Sequence, residues 1–168
     1  KKKYLSNLPI VVAGVSNFSL SLLKNSSIFK NHKSVLLPIP NDIPYTSMSK
    51  QQLRQEAGIP IDLKIVFWGT TQPHNLRKGR YLANEALIHM WHRCSDEERK
   101  NISVLNVGPA SPIPLNETQH FPVIGTNYVK NRSTMAKLYK MSDIALCTTI
   151  SDAGPMMVSE SMRNECPV

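Results

Sequence analysis

Two carboxylates flank a predicted helix start near the end of the chain. The stretch from Ser151 to Met162 reads SDAGPMMVSESM. Pro155 suits the first turn of a helix, where the backbone amides point outward and can bind a phosphate. Glu160, on the second turn, can accept hydrogen bonds from the hydroxyls of a sugar. A surface helix with favourably placed carboxylates is the alternative. The candidate ligand-binding residues of this segment are Asp152, Gly154, Met156, Met157 and Glu160.

A second polar segment follows a predicted buried strand and carries two adjacent cations. It begins at Gly69 and reads GTTQPHNLRKGR, so Arg77 and Lys78 stand side by side. An Arg binds phosphate oxygens as a fork and a Lys binds them as a point charge, so this pair can clamp a diphosphate. The segment has neither the GxxxxGK[ST] pattern of P-loop NTPases nor the GxGxxG pattern of dinucleotide-binding folds. A solvated loop ahead of a helix is the alternative.

Alternating strands and helices must position these segments. Strands are predicted at Leu63–Trp68, Ile102–Val107 and Asp143–Thr148, with a helix from Gly79 to Cys94. The helical spacing of its apolar residues predicts one packed face, made of Leu82, Ala83, Ala86, Leu87, Met90, Trp91 and Cys94. These strands are mainly apolar rather than alternating between apolar and polar residues, which indicates a parallel sheet covered on both faces, an α/β, three-layer, Rossmann-like architecture. Ligands of such sheets bind beyond the carboxyl ends of the strands. Three segments therefore matter most, namely Gly69–Lys78, Gly108–Pro114 and Thr148–Pro155.

The first third of the chain has a different character, with short apolar runs between Ser, Asn and Pro. The stretch PIPNDIP from Pro38 to Pro44 contains three prolines and cannot form regular structure, so it marks a linker. Short strands are predicted at residues 9–13, 34–37 and 120–124, and a final helix opens at Pro155. The predicted helix caps are Ser16 or Asn17, then Ser133 and Asp152.

The composition narrows the classes of function. Hydrophobic residues make up 41% of the 168 residues, which excludes wholesale disorder. The longest apolar runs are far shorter than the ~20 residues of a membrane-spanning helix. The net charge is +8, but the basic residues are scattered and aromatic residues are only 7%, which disfavours a nucleic-acid interface. The cysteines Cys94, Cys147 and Cys166 are widely spaced, which favours a reducing compartment. His89, His92 and Cys94 have no second ligand pair at zinc-site spacing, so we expect no metal site.

Several stretches of the chain resemble, in order, the retaining nucleotide-sugar glycosyltransferases of family 4, also called group 1, which have the GT-B fold. VAGVSNF at 12–18 looks like the end of that family's amino-terminal domain, and LPIPNDI at 37–43 is similar to its interdomain IPNGID stretch. The stretch IVFWG at 65–69, followed by RKG at 77–79, resembles the strand and KG signature of that family. The stretch LYKMSDI at 138–144 resembles its LYSAADV motif. Asp152 and Glu160 have the spacing of its E-x7-E motif, and PV at 167–168 matches its PV. The SDAGPMM form is similar to the branch that builds bacterial surface polysaccharides.

The resemblance implies a role for individual residues. Arg77 and Lys78, after Gly69, would bind the phosphates of a nucleotide-diphosphate-sugar donor. Asp152 would meet the transferred sugar, and Glu160 would hold the ribose hydroxyls. The backbone of Tyr128 and Val129 would lie near the base. The family needs no metal, so cationic side chains and helix amides would stabilise the leaving diphosphate.

Five positions depart from the pattern of the family. Asp152 replaces a longer Glu, and Thr70 stands where a phosphate-binding Arg is usual. Asn127 replaces a glycine, and Asn tolerates a positive φ. Asn164 and Glu165 stand in place of a usual Cys-Gly.

The resemblance also implies the organisation of the parent protein. Residues 1–45 would be the end of an amino-terminal domain with its linker, and residues 46–168 the nucleotide-sugar-binding domain, the carboxyl-terminal half of a GT-B enzyme. The amino-terminal domain would be a partner of this chain and would bind a glycan or lipid-linked acceptor, so we expect no turnover by this chain alone. We expect a cytoplasmic location, with a peripheral membrane contact through Lys1–Lys3 as an option.

Two other functions remain open at this point. The first is a non-catalytic module that binds a nucleotide or nucleotide sugar, and the second is a basic nucleic-acid-binding domain. Metal-independent, saturable binding of a nucleoside diphosphate would fit the transferase and the binding module. Steeply salt-dependent binding of DNA or RNA would fit the nucleic-acid-binding domain.

Overall fold

The computed structural model describes residues 2–5, 8–109 and 120–168, with side chains from Tyr4 onward. The chain divides into two compact units. The first comprises the residues up to Asn41 together with Asp152–Pro155, and the second comprises Asp42–Ser151 and Met156–Val168. The assignment of residues 1–45 to a preceding domain stays a prediction. Most of the predicted segment Gly108–Pro114, from residue 110 onward, lies outside the described residues, as do the side chains of Lys1–Lys3.

The first unit contains a two-stranded parallel sheet and a helix that packs on it. Its elements are α1 (Lys2–Leu5), β1 (Val11–Gly14), α2 (Asn17–Asn25) and β2 (Lys33–Leu36). Ser16 caps α2, because its Oγ accepts a hydrogen bond from the Ser19 amide at 3.1 Å and the Ser19 Oγ accepts one from the Ser16 amide at 2.9 Å. The predicted cap and both predicted strands are therefore present, shifted by one or two residues.

The second unit is built on a four-stranded parallel sheet with the order β5-β4-β3-β6. Its strands are β3 (Lys64–Gly69), β4 (Ile102–Val107), β5 (Val123–Thr126) and β6 (Ile144–Ala145). The parallel arrangement expected from the sequence is confirmed. The last strand is shorter than predicted, because its ladder to β3 stops soon after Ala145 and the chain then turns toward the loop that follows β3.

Helices cover both faces of this sheet. They are α3 (Lys50–Glu56), α4 (Arg80–Arg93), α5 (Asp96–Lys100), α6 (Arg132–Met141) and α7 (Met156–Arg163), with a short 3-10 helix at Leu76–Lys78. Side chains of β3 alternate between two clusters. Ile65 and Phe67 pack with α6, whereas Val66 packs with α4. A parallel sheet buried on both faces is what the apolar runs predicted.

Two local predictions for these helices were wrong. Asn131 rather than Ser133 caps α6, because the Asn131 Oδ1 accepts a hydrogen bond from the Thr134 amide at 2.9 Å. On α4, Leu82 is 40% exposed, although it was predicted to join the packed face. Ala86 is exposed as well. A helix buries a narrower stripe than its apolar residues suggest when only one neighbour covers it, and here Ala83 and Leu87 occupy that stripe.

A buried arginine joins α3 to the amino ends of the strands. Arg54 is 2% exposed and donates to the carbonyl oxygens of Ile61, Leu63 and Met141 at 2.7–2.9 Å. Its second NH2 group pairs with Asp143 at 2.7 Å, and Asp143 also accepts the Ile65 amide at 2.7 Å. This network therefore organises the end of the sheet opposite to the predicted ligand site.

Within the described ranges, no helix is long and apolar enough to cross a membrane.

Candidate functional site

The end of β3 requires a glycine for close packing against the neighbouring strand. A Cβ at Gly69 would lie 2.8 Å from the carbonyl oxygen of Val107, the residue paired with it on β4. The amide of Thr70 then donates to the same carbonyl at 3.1 Å. The first predicted segment thus leaves the sheet at its carboxyl edge, where a ligand of a parallel sheet binds.

The two adjacent cations, Arg77 and Lys78, lie on a short turn after β3. The Asn75 Oδ1 caps the 3-10 helix by accepting a hydrogen bond from the Arg77 amide at 3.1 Å. Gly79 then takes a φ of 63°, a left-handed conformation that suits glycine, and α4 begins at the next residue. The Arg77 side chain is exposed and the Lys78 side chain is half-buried.

Contacts with the chain after β6 hold this turn in place. The Arg77 carbonyl oxygen accepts a hydrogen bond from the Ile150 amide at 2.8 Å. The Thr148 hydroxyl donates to the Lys78 carbonyl oxygen at 3.3 Å and accepts from the Trp68 indole at 3.3 Å. The predicted segments after β3 and after β6 therefore meet at the carboxyl edge of the sheet.

The short stretch before α7 contains Asp152 and Gly154, and both are grouped with the first unit. The sequence predicted Asp152 as a helix cap. Its Oδ1 instead lies 3.4 Å from the Gly154 amide and closes a local turn, while α7 begins at Met156. Asp152 is only half-buried. The reason is positional, because a capping side chain must reach an amide of the first helical turn, and Asp152 comes too early for that.

The helix α7 brings Met156, Met157 and Glu160 into the second unit. Met157 packs against the core beneath the sheet, which supports a filling role for its side chain. Glu160 is buried, and its carboxylate is held from both sides. The Tyr139 hydroxyl donates to Oε2 at 3.0 Å, and the guanidinium of Arg132 lies 3.0 Å from Oε1.

The electrostatics of this group follow from its burial. Burial raises the pKa of the Tyr139 hydroxyl, and the neighbouring Glu160 carboxylate raises it further. Tyr139 therefore stays protonated and acts as a donor. Burial lowers the pKa of Arg132, but the hydrogen bond that Arg132 donates to Asp42 and the charge of Glu160 outweigh burial, so the pKa lies above its ordinary value. Arg132 thus remains a cation between two carboxylates.

The end of the predicted linker and the two residues Tyr45 and Thr46 contact the core and the turn after α7. Ile43 is 1% exposed within the core. The Tyr45 hydroxyl donates to the Glu165 Oε1 at 2.8 Å, and the Thr46 amide donates to the Asn164 Oδ1 at 3.2 Å. The residues that replace the family's Cys-Gly therefore hold this segment against the turn after α7.

Glu165 occupies the backbone conformation that a glycine would favour. Its φ is 59°. Among the residues that the structure describes, Glu165 is the one non-glycine residue with a positive φ. Lys140 pairs with its carboxylate and lies 5.3 Å from the Tyr45 ring. The hydrogen bonds from Lys140 and Tyr45 lower the pKa of Glu165. A positive φ expected at Asn127 is not found there.

The candidate base-binding residues follow β5 at the edge of the sheet. Tyr128 is 57% exposed, and Val129 packs against the core. Sequence reasoning assigned no role to Arg132, Tyr139 or Asp42. Tyr139 and Asp42 lie in the stretches LYKMSDI and LPIPNDI, but neither stretch indicates what these side chains contact. Among the described residues, no group of three His, Cys, Asp or Glu side chains is arranged to hold a metal ion. Cys94, Cys147 and Cys166 are all free thiols.

Comparison with known proteins identifies the fold. No protein-family model and no curated protein matches this chain. Among solved structures, sucrose-phosphate synthase from Thermosynechococcus elongatus matches 99% of the chain at 16% identity and a TM-score of 0.72. A glycosyltransferase from Rickettsia africae matches 98% at 20% identity and 0.67. WaaG, a glycosyltransferase involved in lipopolysaccharide biosynthesis, matches 93% at 16% identity and 0.64.

This chain has the fold of the Rossmann-like, carboxyl-terminal half of GT-B glycosyltransferases. The matches confirm the α/β, Rossmann-like architecture expected from the sequence. The chain spans 41%, 46% and 42% of these three structures, which is less than half of each. At these identities the likeness concerns the fold, and the activity of the parent protein follows only as a proposal.

Proposed function

We propose that this chain is the donor-binding part of a retaining, group 1 glycosyltransferase. It would bind a nucleotide-diphosphate sugar, whose sugar passes to a glycan or lipid-linked acceptor in polysaccharide biosynthesis. The observation that carries the proposal is the Arg77–Lys78 turn, held by Thr148 and Ile150 at the carboxyl edge of the sheet. Two cations at that edge suit the diphosphate of such a donor.

The proposed roles follow the chemistry of each side chain. Arg77 and Lys78 bind the phosphates as cations. Glu160 accepts the ribose hydroxyls, because each of its oxygens has one donor in the structure and a carboxylate oxygen can accept two. Asp152 binds the transferred sugar. The backbone at Tyr128 and Val129 lies near the base.

The proposed chemistry needs no metal ion. The cations of the turn and the free amides at the start of α7 would take the charge of the leaving diphosphate. The acceptor would bind mainly to an amino-terminal domain of the parent protein, acting in the cytoplasm with or without a peripheral membrane contact. A non-catalytic donor-binding module is the second candidate, because the Arg77–Lys78 turn would bind a diphosphate with or without sugar transfer.

Calorimetric titration with UDP, GDP and ADP tests the proposal. Lys78→Ala should weaken binding of the preferred diphosphate about 10- to 100-fold, the scale of a charge-assisted hydrogen bond, with much less effect on the nucleoside. Lys64→Ala is the matched control, since Lys64 is an exposed lysine at the opposite end of β3. Glu160→Gln should weaken nucleoside and diphosphate alike. Failure of all three diphosphates to bind would refute the proposal.

An assay for sugar transfer by a longer protein distinguishes the transferase from the binding module. Adding the preceding domain of the parent chain should give sugar transfer from the bound donor if the protein is a transferase. Donor binding without transfer by that longer protein would favour the binding module.

A further inference from the structure

A single guanidinium nitrogen connects two carboxylates in the second unit. The Arg132 NH2 lies 3.0 Å from the Glu160 Oε1 and also pairs with the Asp42 Oδ1. The side chain of Glu160 is 7% exposed, whereas those of Arg132 and Asp42 are 43% and 68% exposed. The ion pair therefore extends from the solvent to a buried carboxylate through one side chain.

One helix holds both oxygens of Glu160. Arg132 is the first residue of α6, and Tyr139 lies two turns later on the same helix. Tyr139 is buried against Phe67, with ring centroids 4.5 Å apart, so its hydroxyl is fixed by packing. Arg132 has no such packing, since its side chain is largely exposed. A long, flexible side chain needs a second partner to keep one orientation, and Asp42 provides it.

Asp42 is itself anchored. The next residue, Ile43, is buried in the core, and Tyr45 and Thr46 are bonded to the turn after α7. Asp42 is also the first residue of the second unit and follows the last residue of the first. The backbone that follows Asp42 is thus held in place, which keeps the Asp42 side chain near Arg132.

We infer that Arg132 and Asp42 are positioning residues for nucleotide binding at Glu160. Arg132 orients the buried carboxylate for the ribose hydroxyls, and Asp42 orients Arg132. This inference rests on the proposed role of Glu160 in the donor site. It adds that the affinity for the ribose depends on Asp42, which acts through Arg132.

The test compares a ribonucleotide with its 2′-deoxy form. The probe is whichever of UDP, GDP and ADP binds most tightly, titrated beside the matching 2′-deoxynucleoside diphosphate. The variants are Asp42→Asn, Arg132→Lys, Arg132→Gln and Glu160→Gln. Asp96→Asn is the control for Asp42→Asn. It also removes one exposed carboxylate from an ion pair, the Asp96–Arg99 pair, and so changes the net charge by the same amount.

The expected readout is the ratio of the two dissociation constants. Arg132→Gln should lower the preference for the ribonucleotide about tenfold, as expected for loss of one charge-assisted contact. Asp42→Asn should lower it about threefold, and Arg132→Lys should restore most of the wild-type ratio. Asp96→Asn should leave the ratio unchanged. A purely structural role would weaken both ligands equally and keep the ratio constant.

The outcomes separate the inference from the function on which it rests. An unchanged ratio in Asp42→Asn and in Arg132→Gln, with a lowered ratio in Glu160→Gln, overturns the inference and leaves the donor site in place. An unchanged ratio in Glu160→Gln refutes the ribose role, and the inference falls with it. If Arg132→Gln does not fold, Asp42→Asn decides, because it keeps the cation beside the buried carboxylate.

Discussion

Gly79 lies directly against the backbone of Thr148, so that a Cβ at position 79 would overlap the Thr148 carbonyl oxygen. The contact joins the end of the Arg77–Lys78 turn to the segment that follows β6. Two hydrogen bonds reinforce it, from the Ile150 amide to Arg77 and from the Thr148 hydroxyl to Lys78. The position of the two cations therefore depends on a residue that carries no side chain.

Replacing this glycine should disturb the turn more than backbone strain alone can explain. Gly79→Ala combines a φ of 63° with the overlap at Thr148, and we expect a loss of more than about 2 kcal/mol in the free energy of unfolding. Gly58→Ala is the control, because Gly58 has a φ of 66° but nothing within 4 Å of its added Cβ. It should lose only about 1 kcal/mol. Urea denaturation measures both, and equal losses would contradict the role of the overlap.

Asp143 should make stability depend on pH in the acid range. Burial raises its pKa, but the Ile65 amide, Lys50 and Arg54 outweigh burial, so the pKa lies below the ordinary value of 3.8. A lowered pKa in the folded state contributes stability that is complete above the ordinary value and is lost as the pH falls below it. Asp143→Asn should lose on the order of 3 kcal/mol at pH 7, because it leaves buried Arg54 without its counter-charge.

Urea denaturation of both proteins from pH 7 to pH 2.5 measures this effect. The difference between wild type and Asp143→Asn should shrink below about pH 4, where the wild-type carboxylate takes up a proton. Glu98 and Glu165 also have a lowered pKa, but they are present in both proteins and cancel in the difference. A difference that stays constant down to pH 2.5 would argue against ionised Asp143 as the cause.

Glu165 offers a test of strain against contact. Glu165→Ala and Glu165→Gly both remove the contacts with Lys140 and Tyr45, but only glycine relieves the φ of 59°. We expect the glycine variant to melt about 2–4 °C above the alanine variant. Calorimetry of the two variants at one pH measures the difference, and equal melting temperatures would mean that position 165 is not strained.

Asp152 should affect only the sugar-bearing ligand. In the proposed site its partner is the transferred sugar, so Asp152→Ala should weaken a nucleotide sugar about tenfold and leave the nucleoside diphosphate unchanged. Asp152→Glu, which keeps the carboxylate and restores the usual length of the family, should retain most of the affinity. Titration of each variant with both ligands measures this, and an equal loss for the two would indicate an effect on folding.

The sequence alone predicted the sheet and the segments at its carboxyl edge. The stretch Ile65–Trp68 is a continuous apolar run closed by Gly69, and that pattern indicates burial on both faces of the sheet. The parallel arrangement of the strands placed the Arg77–Lys78 turn at the ligand edge before any contact was known. The cap at Ser16 was also predicted, because capping depends on residues only a few positions apart.

Only the tertiary structure decided how Glu160 is held. Its two donors, Arg132 and Tyr139, lie in another helix, and Asp42 reaches Arg132 across 90 residues of chain. No local pattern records such a contact, because its energy depends on distance and burial in the folded state rather than on spacing along the sequence. The same holds for Glu165, whose unfavourable φ becomes tolerable only where Lys140 and Tyr45 meet its carboxylate. The sequence therefore determined which residues could do chemistry, and the packing of α6, α7 and the segment after Asn41 determined which partners each one has.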